Sequence, residues 1–583
     1  MDIGTLVLLN SSSPAHRQGT EYLLPYLDHF GIPYTCWDLN RFPLPVVVSE
    51  YALVVIAHPQ IDPAGHQLDR STLLDAVKAG VGLVSFDQMD LVLSEGQVLI
   101  SQTAVGVEFR EPHPITSRHA PGEVIHFARE APLPGEQPFL LASRLGVGRW
   151  VHWASAYWMD THLLGPLSGL DDVLWRSLVW AARKPFVLRG LPPLVTMRVD
   201  DVAGTGHLWN QSPLWWVHTA NRFGFKPWLG LFIYNLTEPA IAELRDLLLR
   251  GNATAFPHAF GRPLRSLTPN PSPKGGGELS PTPNGRGARA DGMGEGDPCP
   301  YYIPSALPLR ASSYDEFIYF DHERGRPWED GEVARGLSAV DIWYADHAPL
   351  PKSCYVVAHW GEMGVNTIDH AREAWGCDFF ANYHGLDAPL EGARWLIGGP
   401  FRRHEQPGSA LFDRSDRGDR PVYYADSINL CGREFFLCLT EIRDETGYEW
   451  APDNDVNASA GRGLRQLRRA LDSFALPVLF THETDYIYKI SPAAWEAQIA
   501  QIATGIADYR PIFVTLDEAL RCVRATKTSL LEFATYIPDT DQVIVHFSGR
   551  ADASTGFHLF RDEQLIPTFV EIPPFETGWT QTV

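Results

Sequence analysis

Short apolar runs alternate with longer amphipathic stretches in the first third of the chain, a pattern typical of strands followed by helices. The strand-like runs are residues 5–9, 52–57 and 82–86, and the helix-like stretches are residues 18–30, 73–79 and 171–183. Residues 141–153 contain a Gly146-Val147-Gly148 turn and are typical of a closing hairpin. Alternating strands and helices favour a parallel sheet, so we expect an open α/β domain over residues 1–188.

The same alternation resumes after a proline-rich join near residue 188 and continues to about residue 525. Its strand-like runs are residues 194–199, 228–233, 253–256, 354–358, 379–382 and 477–481, and its helix-like stretches are residues 212–223, 238–249, 367–375 and 462–474. Repeated βα units at this spacing predict a parallel (β/α) barrel, in which the chemistry lies at the carboxyl ends of the strands.

Two segments depart from this pattern. Residues 267–298 are rich in Pro and Gly and contain no Val, Ile, Phe, Tyr or Trp, which predicts a disordered surface insertion. Residues 526–583 carry short strand-like runs separated by turns, which predicts a small β appendage.

The charge and cysteine content of the chain limit the partners and the cellular location that we expect. The 583 residues carry a formal net charge of −22, which argues against binding nucleic acid or an anionic membrane through a general basic field. Seven scattered cysteines with no CxxC pair indicate reduced thiols. The amino terminus resembles a first strand and not a signal peptide, and no window is apolar enough for a membrane span, so we expect a cytoplasmic protein. An extracellular location is the alternative if the start of the chain or its export is atypical.

Chemistry-bearing side chains follow several of the predicted strands. Asp200 and Asp201 end one strand, His258 and His482 each follow another, and His322 lies in a loop. Adjacent strand residues point to opposite faces, so we expect the two carboxylates to divide their work, with one holding a metal and the other moving a proton. One carboxylate and two imidazoles make a facial set of metal ligands. Each residue alone has a simpler explanation, since Asp pairs cap helices and strand-end histidines are commonly structural.

Residues 190–525 resemble the polysaccharide deacetylases, the NodB-homology superfamily of carbohydrate esterases. The resemblance rests on Val199-Asp200-Asp201, on the helix, glycine and strand that lead to Pro257-His258, and on Leu479-Phe480-Thr481-His482. It implies a NodB-like (β/α) barrel and one divalent ion, expected to be Zn²⁺, with Co²⁺ or Ni²⁺ as alternatives. The strand and helix pattern of residues 1–188 separately resembles a flavodoxin-like sheet.

The resemblance also implies a role for each residue. Asp200 is then the catalytic base, His482 the catalytic acid, and Asp201 and His258 metal ligands. The family has a second ligand histidine four residues after the first, where this chain has Arg262. His322 is the expected replacement, and His359 is the alternative ligand or a substrate-binding residue.

The implied reaction is removal of an N-acetyl group from an amino sugar or polysaccharide. We expect the carbohydrate to contact Trp209, His359, Trp360 and Glu362; Trp215, Trp216 and Trp228 are further stacking candidates. Homo-oligomers are compatible with the sequence.

Two other interpretations stay open. The broken histidine motif is compatible with a non-catalytic glycan-binding or assembly protein built on a degenerate barrel. A glycosidase is also conceivable, with carboxylates drawn from Glu362, Glu483 and Asp485. The amino-terminal domain loosely resembles glutamine-amidotransferase-like domains, but Ser85-Phe86-Asp87-Gln88 offers no cysteine nucleophile and no nucleophile elbow, so we expect this domain to be non-catalytic.

Overall fold

The structure is a computed structural model. It describes residues 2–63, 65, 67–87, 96–103, 106–126, 137–159, 170–261, 317–321, 326–361, 363–381, 401–402, 422–423, 425–430, 433–440 and 449–583. The predicted insertion at 267–298 and the candidate residues His322 and Glu362 lie outside these residues.

The amino-terminal third is built on one large mixed sheet. Its strands are β1 (Thr5–Leu9), β2 (Tyr34–Asp38), β3 (Leu53–Ile56), β4 (Gly82–Ser85), β5 (Gln97–Gln102), β6 (Gly106–Phe109), β7 (Val124–His126), β8 (Gln137–Leu145) and β9 (Gly148–Trp153). Its helices are α1 (Leu24–Phe30), which a π-helical turn (Gln18–Leu23) precedes, α2 (Arg70–Lys78) and α3 (Asp171–Ala181).

Half of this sheet is parallel, as the sequence predicts, and half is antiparallel. The strand order is β2-β1-β3-β4-β9-β8-β5-β6-β7, in which the first five strands pair in parallel. The β8–β9 hairpin is confirmed, and Gly146 has a φ of 62° in its turn, a conformation that glycine adopts without strain. The sequence pattern did not predict β2, β5, β6 or β7, and the last three of these strands extend the sheet on its antiparallel side.

The central segment contains strands with helices between many of them, and its strand pairs are both parallel and antiparallel. Its strands are β10 (Phe186–Leu188), β11 (Leu194–Val202), β12 (Pro227–Phe232), β13 (Thr254–Ala259), β14 (Tyr355–Val356), β15 (Phe379–Phe380), β16 (Phe401–Arg402), β17 (Val422–Tyr423), β18 (Ala425–Leu430), β19 (Arg433–Cys438), β20 (Val478–His482) and β21 (Ile512–Phe513). Its helices are α4 (Trp215–Arg222), α5 (Glu238–Leu249), α6 (Asp330–Asp346), α7 (Ile368–Trp375), α8 (Val456–Asp472), α9 (Pro492–Gly505) and α10 (Leu516–Thr528).

Two arcs of parallel strands position the site. One arc has the order β13-β12-β11-β20, and β21 also pairs with β11; the other contains β14, β15 and β19. The backbone N–H of Ser353 donates to the carbonyl of Ala255, which joins the arcs between β13 and β14. One hydrophobic cluster runs through both arcs and the helices outside them. The carboxyl ends of β11, β13 and β20 therefore lie at one edge of a shared core.

Short 3-10 turns connect several of these elements. They are Val46–Glu50, Pro114–Thr116, Tyr157–Met159, Thr205–Trp209, His359–Gly361, Val365–Thr367, Ile487–Lys489, Ala507–Tyr509 and Pro538–Thr540. Within the described residues, no helix combines the length and the apolar character that crossing a membrane requires.

The carboxyl-terminal segment folds as antiparallel strands against the amino-terminal domain. Its strands are β22 (Ser529–Ile537), β23 (Gln542–Gly549), β24 (Thr555–Phe560), β25 (Thr568–Ile572) and β26 (Trp579–Thr582). β24 pairs with β10, and the N–H of Ile3 donates to the carbonyl of Ala534. These strands share a hydrophobic cluster with the first sheet. The predicted β appendage thus pairs with β10 and also contacts the first residues of the chain. The domain boundaries at 188 and 526 stay predictions.

A buried ion pair joins the amino-terminal and central segments. Asp171, at the start of α3, is 1% exposed and lies 2.7 Å from Nη2 of Arg469 on α8. Nearby, the indole N–H of Trp175 donates to the carbonyl of Asp472. A carboxylate removed from water in this way requires its cation, because an unpaired buried charge is strongly destabilising.

Arg469→Met should therefore lower the free energy of unfolding by about 3–5 kcal/mol, since it leaves Asp171 buried with the hydroxyl of Tyr26 but without its cation. Chemical denaturation followed by circular dichroism measures the change. The matched control is Arg468→Met at the neighbouring exposed position, for which we expect a loss below about 1 kcal/mol. Equal losses in the two variants would contradict the role given to the ion pair.

Candidate metal centre

The two acidic residues at the end of β11 lie in an irregular piece of strand. The pairing of β11 with β12 shifts register between Val199 and Val202, and Asp201 has a φ of 57°. A bulge of this kind re-aims side chains, and a left-handed non-glycine residue is uncommon enough to indicate a functional constraint. Both carboxylates consequently face His258, whose Nε2 is 3.6 Å from Oδ2 of Asp200 and 3.3 Å from Oδ1 of Asp201. The expectation that the neighbours point to opposite faces is wrong at this position, because the strand is not regular there.

Three residues form a group that can hold a metal ion. Oδ1 of Asp201 is 3.3 Å from Nε2 of His258 and 3.2 Å from Nδ1 of His359. The ligand atoms of the three residues all lie within 4.8 Å of one another, and all three side chains are buried. A carboxylate and two imidazoles leave further coordination positions for water and substrate.

A hydrogen bond at Nδ1, the ring nitrogen that does not face the two carboxylates, orients His258. The residue lies within β13, not after it as predicted, and its Nδ1 is 2.8 Å from the carbonyl oxygen of Val357. A carbonyl only accepts, so Nδ1 carries a proton, and Nε2 is the ring nitrogen that faces the two carboxylates. Histidines that bind metals are commonly held by such a bond on the other nitrogen.

His359 lies in the turn that follows β14, beside His258 and Asp201. The sequence analysis gave it as the alternative to His322, and it completes the ligand group among the described residues. The backbone run from Val357 to His359 thus supplies both the acceptor for His258 and the neighbouring imidazole.

The charge of Asp201 depends on these imidazoles. Burial raises the pKa of Asp201, but the charge of His359 and the hydrogen bonds from His258 and His359 outweigh it and hold the pKa well below the usual value. Asp201 is therefore ionised at neutral pH, as a metal-binding carboxylate must be.

Asp200 is held by an arginine on the same strand. Nε of Arg198 donates to Oδ1 of Asp200 at 2.8 Å, and Nη2 donates to Oδ2. The guanidinium also donates to Oγ1 of Thr440 and lies over the ring of Phe480. Burial raises the pKa of Asp200, yet the charges of Arg198 and His258 lower it below its usual value overall. Asp200 is thus an oriented, ionised carboxylate.

His482 ends β20, opposite Asp200, and pairs with a carboxylate on its far side. Its Nδ1 lies 2.7 Å from Oε2 of Glu449, and the two strands are in register at Asp200 and His482. Burial lowers the pKa of His482, but the charge and hydrogen bond of Glu449, with smaller contributions from Asp201 and Asp485, raise it to about 9. The imidazole is therefore protonated at neutral pH, which suits a proton donor.

Glu483 has a structural role. Its fully buried carboxylate accepts the backbone N–H groups of Ala203, Gly204 and Thr205, the hydroxyl of Thr205 and the indole N–H of Trp216. The hydrogen bonds that Glu483 accepts from residues 203–205 hold the loop that follows β11. With its oxygens engaged in this way, Glu483 is a poor candidate for a glycosidase carboxylate.

The predicted sugar-contacting residues differ in their burial. Trp215, Trp216 and Trp228 are 6%, 0% and 0% exposed and belong to the core, which leaves no face for a sugar. Trp209 is partly exposed, with its indole N–H bound to the carbonyl of Tyr488. Glu362 and the side chain of Trp360 lie outside the described part of the chain.

The sequence analysis missed the partners of the two catalytic candidates. Arg198 was detectable, because residues two apart on a strand share a face and Arg198 stands two before Asp200. Glu449 has no comparable signal, since it lies 33 residues before His482 and precedes a helix. The chemistry that results is a potential cation site flanked by an ionised carboxylate and a protonated imidazole.

Comparison with known proteins gives weak likenesses only. No family model matches the chain, and no curated protein matches it. Among solved structures, a candidate glycoside hydrolase/deacetylase from Parabacteroides distasonis is 9% identical, with 66% of this chain and 85% of that chain covered and a TM-score of 0.30. Two cytoplasmic proteins from Salmonella typhimurium are 14% and 15% identical, cover 32% and 27% of this chain and 100% and 88% of their own, and have TM-scores of 0.21 and 0.17. Structural similarities this weak establish neither the fold nor the function of this chain.

The third ligand can be identified by metal binding. His359→Ala should weaken Zn²⁺ binding more than about 100-fold, because it removes one of three ligands, whereas His322→Ala should leave the affinity within a few-fold. Isothermal titration calorimetry of metal-free protein measures both. The reverse result, loss with His322→Ala alone, would assign the ligand to His322.

Proposed function

We propose that this protein is a metal-dependent hydrolase that removes an N-acyl group, foremost an N-acetyl group, from an amino sugar or polysaccharide. One observation carries the proposal. The buried group of Asp201, His258 and His359 lies between an ionised carboxylate, Asp200, and a protonated imidazole, His482. Hydrolysis of an amide requires a base for water, an electrophile at the carbonyl and an acid for the leaving nitrogen.

Zn²⁺ fits the ligand group. Imidazole and carboxylate are ligands that Zn²⁺ favours. The hydrogen bond from Nδ1 of His258 to the carbonyl of Val357 is of the kind that orients metal-binding histidines. When bound, the ion would supply a Lewis acid that polarises the acyl carbonyl and acidifies a water molecule. Co²⁺ and Ni²⁺ suit the same donors.

Asp200 is the proposed base. Its low pKa keeps it ionised at neutral pH, and Arg198 holds its orientation with two donors on one face. The carboxylate accepts the proton of the water whose oxygen attacks the acyl carbon. Arg198 at the same time reduces the basicity of Asp200, so the proposed mechanism relies on a water that is already acidified.

His482 is the proposed acid. Glu449 on its Nδ1 keeps the ring charged, so the ring can donate from Nε2. As the C–N bond breaks, this proton passes to the nitrogen, which leaves as an amine. An amine leaving group requires such a donor more than an alcohol does, because an unprotonated amide nitrogen is a very poor leaving group.

The proposal that the substrate is a sugar rests on the sequence resemblance to polysaccharide deacetylases. Trp209, which is partly exposed, stays a candidate for stacking on the sugar, and His359, Trp360 and Glu362 stay candidates for contacting it. The same proposal includes a flavodoxin-like fold for the first sheet, a NodB-like barrel for the central segment, a cytoplasmic location and homo-oligomers. Acetate release from N-acetylglucosamine oligomers by the Zn²⁺-loaded protein is the direct test.

Two isosteric variants of neighbouring residues should separate metal binding from proton transfer. Asp200→Asn should lower kcat by about 10²–10⁴-fold and keep one bound Zn²⁺, because it removes only the base. Asp201→Asn should lose both bound metal and hydrolysis. Elemental analysis and acetate release measure the two effects, and full activity in Asp201→Asn would defeat the proposal.

Glu449→Gln should move the alkaline limb of the pH–rate profile to lower pH by about one unit or more. His482 must be protonated to donate, so the rate falls as pH rises through its pKa, which Glu449 raises to about 9. Removing the carboxylate of Glu449 lowers the pKa of His482, so the ring loses the proton that it must donate at a lower pH. Glu496→Gln, at an exposed carboxylate on α9, is the control, and an unchanged limb in folded Glu449→Gln would contradict the pairing.

A further inference from the structure

Asp201 belongs to two groups of potential metal ligands. Besides its group with His258 and His359, it forms a second with His482 and Asp485, whose ligand atoms also lie within 4.8 Å of one another. A carboxylate has two oxygens with several lone pairs, so it can give one oxygen to each of two cations. Oδ1 of Asp201 faces the two imidazoles of the first group.

His482 carries the outer support that is typical of a metal-binding imidazole. Its Nδ1 lies 2.7 Å from Oε2 of Glu449, just as Nδ1 of His258 lies 2.8 Å from the carbonyl of Val357. A carboxylate or carbonyl on one ring nitrogen fixes the other nitrogen toward the ion and raises its basicity. His482 is 1% exposed, and Asp485 is partly exposed, which gives the second group a side open to solvent.

We propose that Asp201, His482 and Asp485 form a second, weaker site for a divalent cation of the Zn²⁺ type, and that filling it inhibits the enzyme. The inhibition rests on the proposed function, in which His482 is the acid. One lone pair on Nε2 cannot hold a cation and carry the proton that the leaving nitrogen needs. The second cation binds more weakly than the first because it shares Asp201 and is repelled by the ion already there.

Binding and activity then depend on Zn²⁺ in a biphasic way. The metal-free full-length protein should bind two equivalents of Zn²⁺, and its rate of acetate release should rise with the first equivalent and fall at least about tenfold with the second. Calorimetry with Zn²⁺ alone gives the stoichiometry, and elemental analysis after gel filtration gives the tightly bound fraction.

Asp485→Ala isolates the second site. This variant should bind one equivalent of Zn²⁺, and excess Zn²⁺ should no longer lower its rate relative to its own rate at one equivalent. Asp539→Asn removes a carboxylate from an exposed turn that belongs to neither group, and it should keep two equivalents and the inhibition. His482→Gln, assayed for stoichiometry alone, should also bind one equivalent and replaces Asp485→Ala if that variant does not fold.

The outcomes separate this proposal from the proposed function. One equivalent in the unmodified protein, or two in both Asp485→Ala and His482→Gln, overturns the second site even if the enzyme hydrolyses N-acetyl sugars. Two equivalents that fall to one in the variants support the second site even if no acetate is released. Hydrolysis that excess Zn²⁺ leaves unchanged, in a protein that binds two equivalents, overturns the inhibitory role.

Discussion

The backbone irregularity at the end of β11 is the constraint on which the site depends. In a regular strand Asp200 and Asp201 would point to opposite faces of the sheet, and only one of them could face His258. The register shift after Val199 and the left-handed conformation of Asp201 turn both carboxylates toward His258. A strained residue of this kind persists only where the surroundings hold it, here the parallel neighbours β12 and β20 on either side.

Bringing two carboxylates together in a buried place creates an electrostatic problem that the surrounding side chains solve. Arg198 neutralises Asp200 through two hydrogen bonds, and the imidazoles of His258 and His359 hold Asp201 ionised. His482, kept charged by Glu449, adds positive charge on the remaining side. Each carboxylate is left ionised with a different partner, and this difference is why the proposed function has Asp201 bind a cation and Asp200 accept a proton.

The site also depends on the rest of the chain. α8, which packs behind β20, carries the arginine that pairs with buried Asp171 of α3, and the carboxyl-terminal strands pair with β10 directly before β11. The amino-terminal segment thus contacts the helix that packs on β20, and the carboxyl-terminal segment pairs with the strand that precedes β11. These described contacts lie outside the ligand group.

The sequence by itself determined several of the local elements and four of the candidate site residues. Helix α5 begins and ends where the pattern predicts, because Thr237 caps it, a proline stands at its first turn and its apolar stripe is regular. Asp200, Asp201, His258 and His482 were identifiable because each follows or ends an apolar run. Only the tertiary structure decided that both carboxylates share one face, that His359 stands beside them, and that Glu449 charges His482. These features arise from a bulge and from contacts between segments far apart in the chain, which no local pattern encodes.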